Sequence, residues 1–236
     1  MRSPILFSLP KSALQASKFN RPLLYKTSKM STGIPSQAPV STAAADSITE
    51  NHAGGSGTGV SASDLGIENT NISTAAGVNL SERQRVVVGS VLDLFAGRPS
   101  LKKLSLWSDT ATFADPLTIA EGRKQYSAQW YGLQAAFSSI ERLKHEVVSA
   151  GNPIEMNLST KYTVKGIGKE QRIDSVVRIW TEREGGEGSI MKVEDRWNGE
   201  IPEGAIAKAF RNLNSVVVPA FVSVPKNEEE DAKKGN

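Results

Sequence analysis

The chain has 236 residues, with 28 Lys and Arg against 25 Asp and Glu, no cysteine and two histidines, His52 and His145. That composition excludes disulfides, thiolate metal sites, cysteine nucleophiles and polyhistidine metal centres. No run of 18 apolar residues occurs, so no membrane-spanning helix is expected.

The net charge of +3 is unevenly placed. Residues 1–30 hold Arg2, Lys11, Lys18, Arg21, Lys26 and Lys29 with no acid, among Ser, Leu, Ile and Phe. This composition is that of a mitochondrial transit peptide, and a mitochondrial location is the expectation. Translation from Met30 would instead give a cytoplasmic protein, with 22 bases against 25 acids. The basicity belongs to this leader alone, so no nucleic-acid partner is expected. Residues 31–80 are rich in Ser, Thr, Ala and Gly, and contain no Phe, Tyr, Trp, Lys or Arg. Such a stretch buries too little apolar surface to offset the cost of ordering, which predicts a disordered linker. Its Gly54, Gly55, Gly57 and Gly59 have neither a preceding strand nor a following amphipathic helix, and read as linker rather than nucleotide loop.

Order is predicted from Ser81, which with Gln84 forms a capping box. Val87, Val88, Val91, Leu94 and Phe95 follow at helical spacing, and Gly97 closes the helix. Pro99 opens a short second helix running to Trp107. Ala111, Phe113 and Asp115 alternate with Thr112 and Ala114 in a short strand stopped by Pro116. A longer helix runs from Glu121 to about Phe137, with Tyr126, Trp130, Leu133 and Phe137 on one face. Four strands come next. The first, 141–149, places Leu143, His145 and Val147 on one side. The second, 154–165, alternates strictly from Ile154 to Val164, and the third carries Ile173, Ser175, Val177 and Ile179. The fourth carries Met191, Val193, Asp195 and Trp197. Short Gly-containing connections between them suit antiparallel hairpins. Residues 202–214 read as a final helix, 216–224 as an extended segment along the sheet, and 226–236 as a charged, solvated tail.

The sum is one α+β domain over 81–225, a strongly curved antiparallel sheet wrapped around a long helix to leave a cone. The order of elements, together with Trp107-Ser108-Asp109, Phe113-Ala114-Asp115-Pro116, Gly122 to Tyr126 and the closing Glu194-Asp195-Arg196-Trp197-Asn198-Gly199, resembles the nuclear transport factor 2-like (SnoaL-like) superfamily. The resemblance implies a pocket at the open end of the cone. It spans isomerases, dehydratases, epoxide hydrolases and proteins that only bind, and implies no cofactor. It also implies a homodimer through the sheet face.

Asp115 is in phase with Phe113, and Asp195 with Val193 and Trp197, so both carboxylates are expected to enter an aromatic cavity with Trp107, Tyr126 and Trp130. Desolvated neighbouring carboxyls can divide into acid and base, with Tyr126 as a hydrogen-bond donor. His145 is a further catalytic candidate, and no metal site is expected. Each residue has a plainer role available. Asp115 before Pro116 suits a turn cap, Asp195 can pair across strands with Arg178 or Arg196, and the tryptophans can be core. Three functions follow: a binding module for a small apolar molecule or protein partner, a small isomerase, dehydratase or hydrolase using the Asp pair, or a structural domain whose cone is filled by its own rings.

Overall fold

A computed structural model describes residues 60–199, 203–212 and 222–234. The basic leader, residues 31–59 of the expected linker, and most of the apolar run 216–224 lie outside the described residues. Among those described, no helix is long and apolar enough to cross a membrane.

Helix α1 (Glu82–Phe95) starts where the capping box places it. The Gln84 amide N–H donates to Ser81 Oγ (3.1 Å) and the Ser81 N–H donates to Gln84 Oε1 (2.9 Å). At its other end Gly97 takes φ +72°, while the Gly97 and Arg98 N–H groups reach back to the Leu94 and Asp93 carbonyls. Helix α2 (Leu101–Leu104) is shorter than expected, since Trp107 already belongs to strand β1 (Trp107–Ala114). A short strand β2 (Ile119–Glu121), absent from the sequence reading, turns back on β1 before helix α3 (Arg123–Ala136). Strands β3 (Phe137–Ser149), β4 (Ile154–Val164), β5 (Glu170–Thr181) and β6 (Ile190–Trp197) follow, then helices α4 (Gly204–Asn212) and α5 (Glu228–Ala232).

The six strands form one sheet in the order β2-β1-β6-β5-β4-β3. The hairpins from β3 to β6 are antiparallel as expected, but β6 meets β1 in parallel. The chain crosses through α3 to the far edge, and three reversals bring β6 back along β1 in the same direction. Register shifts at three places along β3 mark bulges, which bend the strand and curve the sheet. One of them, between Arg142 and Lys144, turns Leu143 outward, so this residue is exposed rather than in phase with Val147.

The sheet's inner side and α3 enclose the core, in which Val193, Ile179, Val177, Met156 and Trp130 are essentially inaccessible. Salt bridges lace other strand residues, with Arg178–Glu155 at 2.7 Å, Arg196–Glu194 at 2.9 Å and Lys161–Glu141 at 2.9 Å.

Two expectations for the flanks are corrected. Residues 60–80 are not linker: Leu65, Ile67, Ile72 and Leu80 are buried in the same core. Their polar anchor is Asp93 on α1, whose fully buried carboxylate accepts from Glu68 N–H (2.9 Å) and Asn69 N–H (3.2 Å). Close approach is possible because α1 presents Gly89, where a Cβ would stand 2.6 Å from the Asn69 carbonyl oxygen. Nor is the tail simply solvated. Asp231 on α5 is buried, accepting from the Tyr131 hydroxyl (2.5 Å) and the Leu101 N–H (2.7 Å). Composition hid both segments because their partners lie far away in sequence.

Candidate functional site

The parallel pairing of β1 and β6 builds the site. Phe113 lies beside Val193 and Ala114 beside Glu194, so Asp115, the first residue past β1, and Asp195 on β6 follow at the same level. Adjacent strands are about 4.8 Å apart, and alternation turns both side chains to the inner face that Phe113 and Val193 already occupy.

The two carboxyls line one cavity with Gln129, Trp130 and Leu133 of α3, Phe95 of α1, Phe113 of β1, Tyr162 of β4, Trp197 of β6 and Phe210 of α4. The rings interlock. Phe113 and Trp130 are 4.6 Å apart between centroids, and Phe95 and Trp130 5.1 Å. Phe210 closes the outer side against Phe137, Tyr162 and Trp197, at 5.1, 5.3 and 5.1 Å. The remaining void is about 20 Å³, space for about one water. The cone is therefore narrow, not roomy, and most of its interior is filled by these side chains.

Burial dominates the electrostatics. It pushes Asp115 up to about 7, against the opposing pull of the Leu117 N–H, and the neighbouring Asp195 charge raises it further. Burial likewise raises Asp195 to about 6, opposed by Ser175 and by the Trp197 indole. Each carboxyl has one short hydrogen bond to the protein. Asp115 Oδ1 accepts from Leu117 N–H (2.7 Å), the turn-capping role its place before Pro116 suggests. Asp195 Oδ2 accepts from Trp197 Nε1–H (2.7 Å), the Ser175 hydroxyl also favours the carboxylate, and Oδ1 makes no hydrogen bond of normal geometry to the described residues. The Gln129 Oε1 acceptor and the Trp130 Nε1–H donor are also buried without partners. Neither Arg178 nor Arg196 pairs with Asp195; they engage Glu155 and Glu194.

The structure thus brings Asp115, Asp195, Phe113, Trp130 and Trp197 together, and leaves three other candidates outside. Trp107 and Tyr126 pack on each other behind the wall, 5.0 Å between centroids. The Tyr126 hydroxyl donates to the Ser108 carbonyl (3.0 Å), so it is committed to the backbone rather than offered to a ligand. His145 stands on β3, where its Nε2 accepts from Ser73 N–H (3.0 Å) and pins the segment before α1 to the sheet edge. Phe95, Gln129, Leu133, Tyr162 and Phe210 were missed as cavity residues. All but Gln129 occupy predicted apolar faces, where nothing local separates cavity wall from core. No group of three His, Asp or Glu side chains able to hold a metal ion occurs among the described residues.

No family model matches the sequence, and no curated protein matches it. Among solved structures, the chain is similar to a steroid delta-isomerase from Pseudomonas aeruginosa, at 14% identity over 67% of this chain and 95% of that one, TM-score 0.41. It is similar to an NTF2-like protein of unknown function from Exiguobacterium sp. 255-15, at 18% identity over 48% and 99%, TM-score 0.39. A third is a hypothetical protein with a ketosteroid isomerase-like fold from Catenulispora acidiphila, in complex with trimethylamine, at 16% identity over 46% and 82%, TM-score 0.39. The likeness is in chain course alone; the chemistry of this cavity is argued from its own residues.

Proposed function

We propose that the protein binds one small, predominantly apolar molecule in the cavity between α3 and the β1/β6 end of the sheet. The observation that carries this is the pair of desolvated carboxyls, level on adjacent strands, set in a ring of aromatic side chains. Burying two ionisable groups side by side costs stability, and a purely structural core has no use for that cost. Aromatic walls with a few convergent polar groups are the usual make-up of a small-molecule site. Because the void holds about one water, a ligand enters only as the side chains lining it give way.

The test is an NMR titration of the full-length protein with a set of neutral and charged molecules below about twelve heavy atoms, followed through the indole N–H signals. Signals of Trp130 and Trp197 should shift saturably while those of Trp107 and Trp180 stay in place. A set that moves none of the four, or moves all equally, refutes the reading in favour of a filled, structural cone.

A second reading is favoured by the placing of two carboxyls at one level in the same buried cavity. Burial raises both carboxyls and the Asp195 charge raises Asp115 further, so near neutral pH the pair can share one proton. That is the protonation state required for acid–base work on a bound molecule. Deuterium incorporation into butan-2-one in heavy water, catalysed by the wild type and lost in Asp115→Asn and Asp195→Asn, would support it. No exchange above the buffer rate would refute it for carbon acids of this size.

A further inference from the structure

We infer that the molecule this cavity takes is a small organic cation, an alkylammonium whose charge meets Asp115 and Asp195 and whose alkyl groups lie on the surrounding rings. The inference rests on the binding role proposed above and adds the sign of the ligand's charge.

The two carboxyls of the cavity lack a countercharge among the described residues. Asp93, buried on α1, is supplied with cations: it meets Lys103 Nζ at 3.0 Å and an Arg98 nitrogen at 3.1 Å. Asp195 is as deeply placed, yet no Lys, Arg or His lines its cavity, and neither it nor Asp115 takes part in an ion pair among the described residues. A carboxylate kept in a low-dielectric site without a partner is strongly biased towards a cation when one arrives.

Hydrogen-bonding capacity points the same way. Asp195 Oδ1 and Gln129 Oε1 are acceptors, both on nearly inaccessible residues, and neither receives a hydrogen bond of normal geometry from the described residues. An anion would be repelled there, and a ligand carrying only acceptors would leave both unpaired. Trp130 Nε1–H, a buried donor without a partner among the described residues, is suited to an oxygen on the same molecule.

So does the wall. Ring faces carry negative quadrupole charge and attract alkylammonium groups most strongly where water is excluded. Six rings surround this void: Phe95, Phe113, Trp130, Tyr162, Trp197 and Phe210.

The experiment uses the full-length protein, calorimetric titration at pH 8 and constant ionic strength, and two probes of almost equal shape. Choline carries the charge and one hydroxyl, and 3,3-dimethylbutan-1-ol is its neutral counterpart. Choline should bind at least tenfold more tightly, and Asp195→Asn should bring the two within about threefold while leaving circular dichroism unchanged. Asp115→Asn gives an independent reading from the facing strand, with the same expected narrowing. Equal or tighter binding of the neutral alcohol by the wild type overturns the cation inference and leaves the binding role intact. An unchanged preference in both variants also overturns it. Failure of both probes to bind removes the cation inference and counts against the binding role as well.

Discussion

Replacing Asp195 by Asn should stabilise the folded protein above neutral pH, in contrast to most changes at a buried polar position. Asp195 is 6% exposed, and its folded pKa stands at about 6 against an ordinary value of 3.8. A group whose pKa rises on folding favours the folded state most when protonated. Its contribution is complete below about pH 4 and is lost as pH climbs through about 6. About two pH units at about 1.36 kcal/mol each make the ionised cost about 3 kcal/mol at pH 8. Asparagine keeps the acceptor for the Trp197 indole and removes the charge, but puts an N–H₂ near Oδ1, where an unpaired donor returns about 1 kcal/mol or more. The expected net gain is about 1–2 kcal/mol at pH 8, or a Tm rise of about 2–8 °C for a domain of this size. The assay is thermal and urea unfolding of both proteins at pH 4, 6 and 8, followed by tryptophan fluorescence. The gap should shrink steadily towards pH 4. A variant less stable at pH 8, or a gap independent of pH, refutes the claim that Asp195 is held ionised against its environment.

Three other outcomes can be measured by the same methods. Asp231→Ala leaves the buried Tyr131 hydroxyl and the Leu101 N–H without their acceptor, and should cost about 3 kcal/mol in urea unfolding; a solvated tail would show no change. Gly89→Ala drives a methyl group towards the Asn69 carbonyl and Ile67. It should cost about 1–3 kcal/mol and speed proteolysis within 60–80 relative to the rest of the domain. His145→Ala should lose about 1 kcal/mol through the Ser73 N–H and leave probe binding at the cavity unchanged. Burial, and then Arg142, hold the His145 pKa below 6.5, so in the wild type this contact is present above that value and is lost as acidification protonates Nε2.

Much of the fold was legible because its signals are local. The Ser81 and Gln84 pair, the Gly97 stop, the i, i+4, i+7 face of α3 and the strict alternation of β4 each involve residues within a turn or a strand of one another. What stayed hidden depends on distant partners. Leu65, Ile67, Ile72 and Leu80 are four apolar residues in a Ser- and Gly-rich stretch. Their burial follows from a glycine and an aspartate on α1, which no count within 60–80 records. Asp231 sits in a run of acids that reads as solvated, and only the fold brings it to Tyr131. Leu143 defeated the alternation rule because a bulge inserts one extra residue, and period-two patterns carry no mark of where that happens.

The same division explains the candidate site. Strand phase alone turns Asp115 and Asp195 inward, and that much could be read from Phe113, Val193 and Trp197. Their juxtaposition needed the parallel register of β1 and β6, a consequence of how many times the chain reverses between them. An antiparallel pairing of those two strands would run their ends in opposite directions and separate the carboxyls by most of a strand's length. Placing both groups at the same level, with no basic side chain lining the cavity among the described residues, is costly in a way that a turn cap and an indole tether do not require. Asparagine could cap the turn at 115 and accept from the indole at 195 without the charge. What the aspartates add, and asparagines would not, is a titratable negative charge inside an aromatic enclosure. That charge is the property on which binding of a cation and transfer of a proton both depend.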